Sequence, residues 1–231
     1  MHRFQATNQV QVVNSFEELV NNPFQGQVNV LSWERSFGGN FKEIIRLIQN
    51  DAPMIKVEIE QLLALDLSPE GELARTRIIT DMELFKSVGA DPLLNLLTHY
   101  ERDDENPYFS TDVYSWHVDA SPIPTYTYLC TYAGATSEFL PNHLCVPKVQ
   151  LPEIQQRILA DYKGKPEQYA EYLHANFLDL HYEALPFAEP CVMNKGQVYR
   201  LAVKHPDCPV PPCIHRAPIE KPGESRLLLI C

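Results

Sequence analysis

A chain of 231 residues, 45% hydrophobic and 21% charged, can bury one sizeable core and is neither disordered nor membrane-embedded by composition. Its 19 Lys plus Arg against 30 Asp plus Glu leave a formal net charge of -11, which repels phosphate backbones and anionic lipid surfaces, so neither nucleic acid nor membrane is expected as a partner. The opening residues MHRFQATNQVQVV lack an apolar run, and no stretch approaches the ~18 apolar residues of a membrane helix, so the expected location is cytoplasmic.

Residues 15–21, SFEELVN, combine a Ser N-cap with Glu in the first turn, where the helix dipole favours negative charge, and predict a short helix. In GGNFKEIIRLIQND, Phe41, Ile44, Ile45 and Ile48 recur at the spacing of one helical face after Asn40 as cap. Further helix is expected between about residues 58 and 89, so that residues 1–92 read as mostly helical.

From about residue 93 short apolar or alternating runs are separated by Pro, Asn and Asp, the texture of an all-β meander or jelly roll. Candidate strands are LLNLLTHYE, VYSWHVD, TYTYLCTY, CVMN, QVYRLAVK and SRLLLIC, the first of which could equally be helical. Residues 152–178 interrupt them as one or two helices with a break near Gly164 to Pro166. The expectation is a single domain over 1–231, mainly β with flanking helices (α+β), its β core spanning 93–231. Six cysteines, at 130, 145, 191, 208, 213 and 231, are too sparse for a disulfide framework and read as mostly reduced thiols.

SWHVDASP, residues 115–122, carries the chemistry. Residues i and i+2 of a strand share a face, so His117 and Asp119 present an imidazole and a carboxylate together, and His215 downstream supplies a third ligand. Two histidines and one carboxylate in this order match a facial triad for Fe(II) that leaves positions open for oxygen and a chelating cosubstrate. Arg226 opens the terminal apolar strand across a turn at Pro222 and Gly223, where its guanidinium fork can grip a carboxylate.

This order resembles the Fe(II)/2-oxoglutarate-dependent dioxygenases, and the resemblance implies a double-stranded β-helix (a jelly roll, cupin-like), iron as cofactor, 2-oxoglutarate as small-molecule cosubstrate anchored by Arg226, and oxidation of a C–H bond. The stretches NVLSWERSF at 28–36, TYAGATSEFLP at 131–141 and HRAP at 215–218 are similar to the uncharacterised domain-of-unknown-function family numbered 1826 over nearly the whole chain. Ala135, Phe139 and Ala217 stand where that family has Gly, Trp and Ser, and Ser137 intervenes between Thr136 and Glu138. The primary substrate is not implied.

Other residues carry weaker expectations. Tyr126 and Tyr128, with Tyr132, lie on a strand one face of which is read as lining the site, where the resemblance implies a role at the oxoglutarate carboxylate. Packing in the barrel is the competing reading. Trp116 is assigned to the core, and Arg216 and Glu138 are candidates to orient the imidazoles. HPDCPVPPCIH offers an alternative zinc site from His205, Cys208 and Cys213 with His215, against which stands a four-residue spacing stiffened by prolines. Histidines 2, 99, 143, 174 and 181 lack partners at telling spacing, and Cys130 and Cys145 sit in apolar runs unsuited to a nucleophile. The expected function is an oxygenase; the alternative is a cupin-like zinc-binding or metal-handling protein without turnover.

Overall fold

Local chemistry sets the first helices. The Ser15 hydroxyl accepts the Glu18 backbone N–H at 3.1 Å, and Asn40 accepts the Glu43 N–H at 3.3 Å, so each helix begins where its cap predicts. The computed structural model describes residues 8–103, 105–221 and 223–231; His2 and Pro222 lie outside them.

The elements in chain order are β1 (Val10–Val13), α1 (Phe16–Asn21), β2 (Val30–Trp33), α2 (Phe41–Ile48), β3 (Met54–Lys56), α3 (Ile59–Leu63), α4 (Pro69–Ser87), β4 (Leu93–Leu97), β5 (Trp116–His117), β6 (Tyr126–Ala133), β7 (Glu138–Leu140), β8 (Cys145–Pro147), α5 (Pro152–Asp161), α6 (Tyr169–Ala175), β9 (His181–Ala184), β10 (Cys191–Val192), β11 (Val198–Ala202), β12 (Ile214–Arg216) and β13 (Arg226–Ile230). They form a 7-stranded sheet ordered β1-β2-β11-β6-β13-β4-β3 and a 6-stranded sheet ordered β10-β7-β12-β5-β9-β8. The chain crosses between sheets at each step from β4 to β7 and again from β10 to β13. On its second passage it lays β13 between β4 and β6, and β12 between β5 and β7.

Alternation along β6 explains the layering. Tyr128, Cys130 and Tyr132 pack with Phe41, Ile44, Ile78 and Phe85 of the helices, whereas Leu129 packs with Tyr199, Leu228 and Phe139 between the two sheets. The larger sheet is therefore buried on both faces, helices on one and the smaller sheet on the other. Each fully buried Leu or Phe stabilises these layers by roughly 1.5–3 kcal/mol before entropy is subtracted.

The N-terminal segment carries the helices α1 to α4 and, beside them, three strands the sequence did not announce: β1, β2 and β3 extend both ends of the larger sheet. Each is only a few residues long, and β2 and β3 are held extended by pairing with β11 and β4, residues far off in sequence. The same pairing settles LLNLLTHYE as a strand, since β4 lies between β13 and β3. Helices α5 and α6 occupy the expected interruption, broken between them at residues 162–168. No helix among the described residues is long and apolar enough to cross a membrane.

Candidate metal centre

Three residues from two neighbouring strands of the smaller sheet converge. His117 on β5 is the direct cross-strand neighbour of His215 on β12, and their rings lie 4.5 Å apart. Asp119 follows two residues after His117 on the same face, with one carboxylate oxygen 3.9 Å from His117 Nε2 and the other 3.7 Å from His215 Nε2. One ligand atom from each residue falls within 4.8 Å of the others, a set able to hold a metal ion.

The backbone selects the tautomers. The Nδ1–H of His117 donates to the Ser115 carbonyl at 2.7 Å and that of His215 to the Cys213 carbonyl at 3.2 Å. Both Nε2 lone pairs are thereby left for a ligand, as a fixed second hydrogen bond does in metal sites generally. Burial, then the neighbouring His215, pushes the His117 imidazole down to about 4, so it is neutral at physiological pH. Burial works to raise the Asp119 carboxyl, but His215, the Thr127 hydroxyl that donates to it and His117 outweigh burial and hold it below the usual range. Its side chain is 34% exposed, so the cluster can be reached from outside.

Arg226 lies on the other sheet and is only 3% exposed. Its Nη2 donates to Ser137 Oγ at 2.7 Å and Thr131 Oγ1 at 3.3 Å, and its Nε is buried with no partner. No carboxylate among the described residues lies within 4.0 Å of it; Glu220 is close enough to be felt but accepts instead from the Tyr114 hydroxyl at 2.6 Å. Burial holds the guanidinium below its ordinary value, yet an arginine remains charged. Gly134 permits this placement: at φ +83°, it abuts β13 so closely that a Cβ would fall 2.7 Å from Arg226 Cα. Gly223, with φ +78°, has the backbone of the expected turn; its partner Pro222 lies outside the described residues.

Ser137 fixes the relation of Arg226 to the triad. It stands two residues before Phe139, the cross-strand neighbour of His215, one two-residue strand step of roughly 7 Å. Thr127 and Thr131 of β6 face the same interior, the first bonded to Asp119 and the second to Arg226.

Several expectations are corrected. Tyr126 and Tyr128 do not line the cluster: Tyr126 packs on Phe24 and under Arg200, and Tyr128 on Phe85, all on the helical side of the sheet. Tyr132 likewise stacks on Phe41 and donates to Asp81. The site takes the odd-numbered threonines instead, because side chains alternate and a shift of one residue exchanges the faces. Arg216 and Glu138 pair with each other at 2.7 Å, Arg216 lying over Trp116 on the outer face, and neither bonds an imidazole of the triad. Trp116 is packed with Val118, Leu140 and Ile214, as assigned.

The alternative zinc set does not assemble. Among the described residues the only such ligand group is His117, Asp119 and His215. Cys213 is fully buried between the sheets, and Cys208 donates to the Val210 carbonyl at 3.0 Å, so His205, Cys208 and Cys213 point to different surroundings.

His181, set aside in the sequence, belongs to this face. It pairs directly across from His117, extending the row His215, His117, His181 over three strands, and its ring lies 5.9 Å from that of His117. It is 4% exposed with Nδ1 unpartnered. Burial, then His117 and Lys148, pushes it down to about 4. Only strand pairing could have found it, since no spacing links it to residues 117–119. Comparison with family models, curated proteins and solved structures finds no match for this chain.

Proposed function

We propose that this protein is a mononuclear Fe(II)/2-oxoglutarate-dependent oxygenase built on a double-stranded β-helix. The observation that carries the reading is a preorganised His-Asp-His cluster together with a buried arginine that has no carboxylate within 4.0 Å among the described residues and that bonds Ser137, two residues before the cross-strand neighbour of His215. The strand orders β4-β13-β6-β11 and β5-β12-β7-β10, filled by a chain that alternates between the sheets, support the jelly-roll reading.

The residues fit the group. Two imidazoles whose Nδ1 atoms are held by backbone carbonyls and one carboxylate held below its usual range form a borderline donor set that suits Fe(II) and leaves coordination positions open. His117, Asp119 and His215 would hold the metal, and Arg226 would hold the far carboxylate of 2-oxoglutarate through its unspent donors. Bound together, Fe(II) and 2-oxoglutarate supply the oxidation of a C–H bond by dioxygen.

The chain's own part is positional. Ser115 and Cys213 carbonyls fix the two imidazole planes, and Thr127 restrains the Asp119 carboxylate. Ser137 and Thr131 aim the guanidinium, and the apolar side chains of Leu129, Phe139 and Leu228 between the sheets exclude water. The test is an anaerobic titration of the Fe(II)-loaded chain with 2-oxoglutarate, following the metal-to-oxoglutarate charge-transfer absorption. A saturable band supports the reading. Full metal binding without any band removes the oxygenase and leaves a metal-holding protein.

A further inference from the structure

His181, Lys148 and Phe109 make a second cluster on the far side of His117 from His215. Lys148 Nζ sits 5.2 Å from the centre of the Phe109 ring, and the His181 ring lies 5.9 Å from the same centre. Lys148 donates to Ser115 Oγ at 3.0 Å and has no carboxylate within 4.0 Å among the described residues. The carboxylates it feels, Glu183 and Asp112, remain beyond that distance, and Asp112 is engaged by the Tyr114 N–H at 3.0 Å and by Arg102 at 3.8 Å. His181 is buried on the same side with Nδ1 unspent. An ammonium without an ion-pair partner among the described residues, a buried imidazole with an open nitrogen and an aromatic face thus meet beside the candidate metal centre, in a chain of net charge -11.

A buried polar atom is normally hydrogen-bonded, and leaving one open costs about 1–3 kcal/mol unless something completes it. No side chain of the triad does so for His181. The cluster lies on the β9 side of His117, whereas Arg226 bonds Ser137 next to β7 at the other end of the row, which separates it from the place assigned to the cosubstrate.

We propose that His181, Lys148 and Phe109 receive the primary substrate, and that this substrate presents a carboxylate or similar anionic oxygen group on an apolar, planar body. Lys148 and the His181 Nδ1–H take the oxygens while Phe109 takes the apolar face. The inference deepens the oxygenase reading, on which the word substrate rests, but the binding site itself does not need iron or oxoglutarate.

The experiment uses benzoate as the probe, titrated calorimetrically into the full chain, with 2-oxoglutarate titrated separately into the Fe(II)-loaded protein. The expected result is one saturable benzoate site, weakened roughly tenfold or more by Lys148→Met and by His181→Phe and unchanged by Arg226→Leu. Absence of saturable binding overturns the proposal, as does binding that Arg226→Leu abolishes and Lys148→Met leaves intact. Lys148 is partly exposed, so Lys148→Met decides the matter even if His181→Phe fails to fold. Benzoate bound through Lys148 in a protein that takes no oxoglutarate sustains this site and removes the oxygenase reading.

Discussion

Two buried arginines of this chain solve opposite problems. Arg35, beside α4, is saturated: Nη1 and Nη2 reach both oxygens of Asp81 at 2.5 and 2.6 Å, Nε donates to the Gly196 carbonyl at 2.8 Å, and the guanidinium covers Trp33. Tyr132 donates to the same carboxylate at 2.6 Å. Arg226, the more deeply buried of the two, has two hydroxyls and an orphaned Nε. Arg200 also has an unpartnered Nε, but its Nη1 meets the carbonyls of Leu19, Val20 and Asn22 at the C-terminal end of α1, the negative end of a helix dipole. A buried cation whose charge is answered holds the fold together. One with no carboxylate at hydrogen-bonding distance among the described residues is what the proposed oxoglutarate site would draw on.

The largest expected effect tests the saturated side. Asp81→Ala leaves Arg35 buried without its counter-charge and is expected to cost about 3–5 kcal/mol of unfolding free energy in urea. If that loss is no greater than for Arg226→Leu, the contrast between the two arginines collapses.

Arg226→Leu is expected to stay within about 1–2 kcal/mol of wild type in stability, since no ion pair is broken. It should nevertheless cost roughly 2–5 kcal/mol of oxoglutarate binding while metal binding persists, with Arg226→Lys between the two because it keeps charge but loses the fork. Equal oxoglutarate affinity for wild type and Arg226→Leu would sink the assignment.

Acid sensitivity separates the site from the rest of the fold. His181 and His117 both drop from the ordinary 6.5 to about 4 on folding. The unfolded chain therefore binds protons more readily, so stability is complete above about 6.5 and is lost as pH falls toward about 4. For chelator-treated protein the slope between those values should be on the order of 1 kcal/mol per pH unit per histidine. His181→Phe should flatten that slope, and an unchanged slope would show that the buried row does not carry it.

The smallest effect concerns Thr127. Thr127→Val removes the hydroxyl that restrains Asp119 and is expected to weaken metal binding by roughly 10–100-fold at nearly constant stability. Tyr128→Phe, on the opposite face, should leave metal affinity unchanged. Equal losses in both variants would mean that the two faces of β6 are not functionally distinct.

The grouping of His117 with Asp119 was legible because strand periodicity puts i and i+2 on one face, and His215 and Arg226 stood out as candidates because a histidine and an arginine at the start of short apolar runs differ from their neighbours. Ser15 and Asn40 were legible as caps for the same local reason. Tyr126 and Tyr128 misled because residue chemistry drew attention to the aromatic face of β6, while which face meets Asp119 depends on the twist and pairing of whole sheets. Thr127 and Thr131 carry no conspicuous signal in TYTYLCTY at all.

By itself, then, the sequence determined what is encoded within a few residues: the capped helices, the β-rich texture after residue 93, the helical interruption and the candidate residues at 117, 119 and 215. Tertiary structure alone decided what depends on register between distant strands. It made β2 and β3 extended through pairing with β11 and β4, and brought His215 directly opposite His117. It also set His181 next in that row and left Arg226 with no carboxylate within 4.0 Å among the described residues. The physical reason is range: a cap or an i, i+2 relation is fixed by local backbone geometry. A cross-strand neighbour is fixed only when a hundred intervening residues have folded and chosen one register.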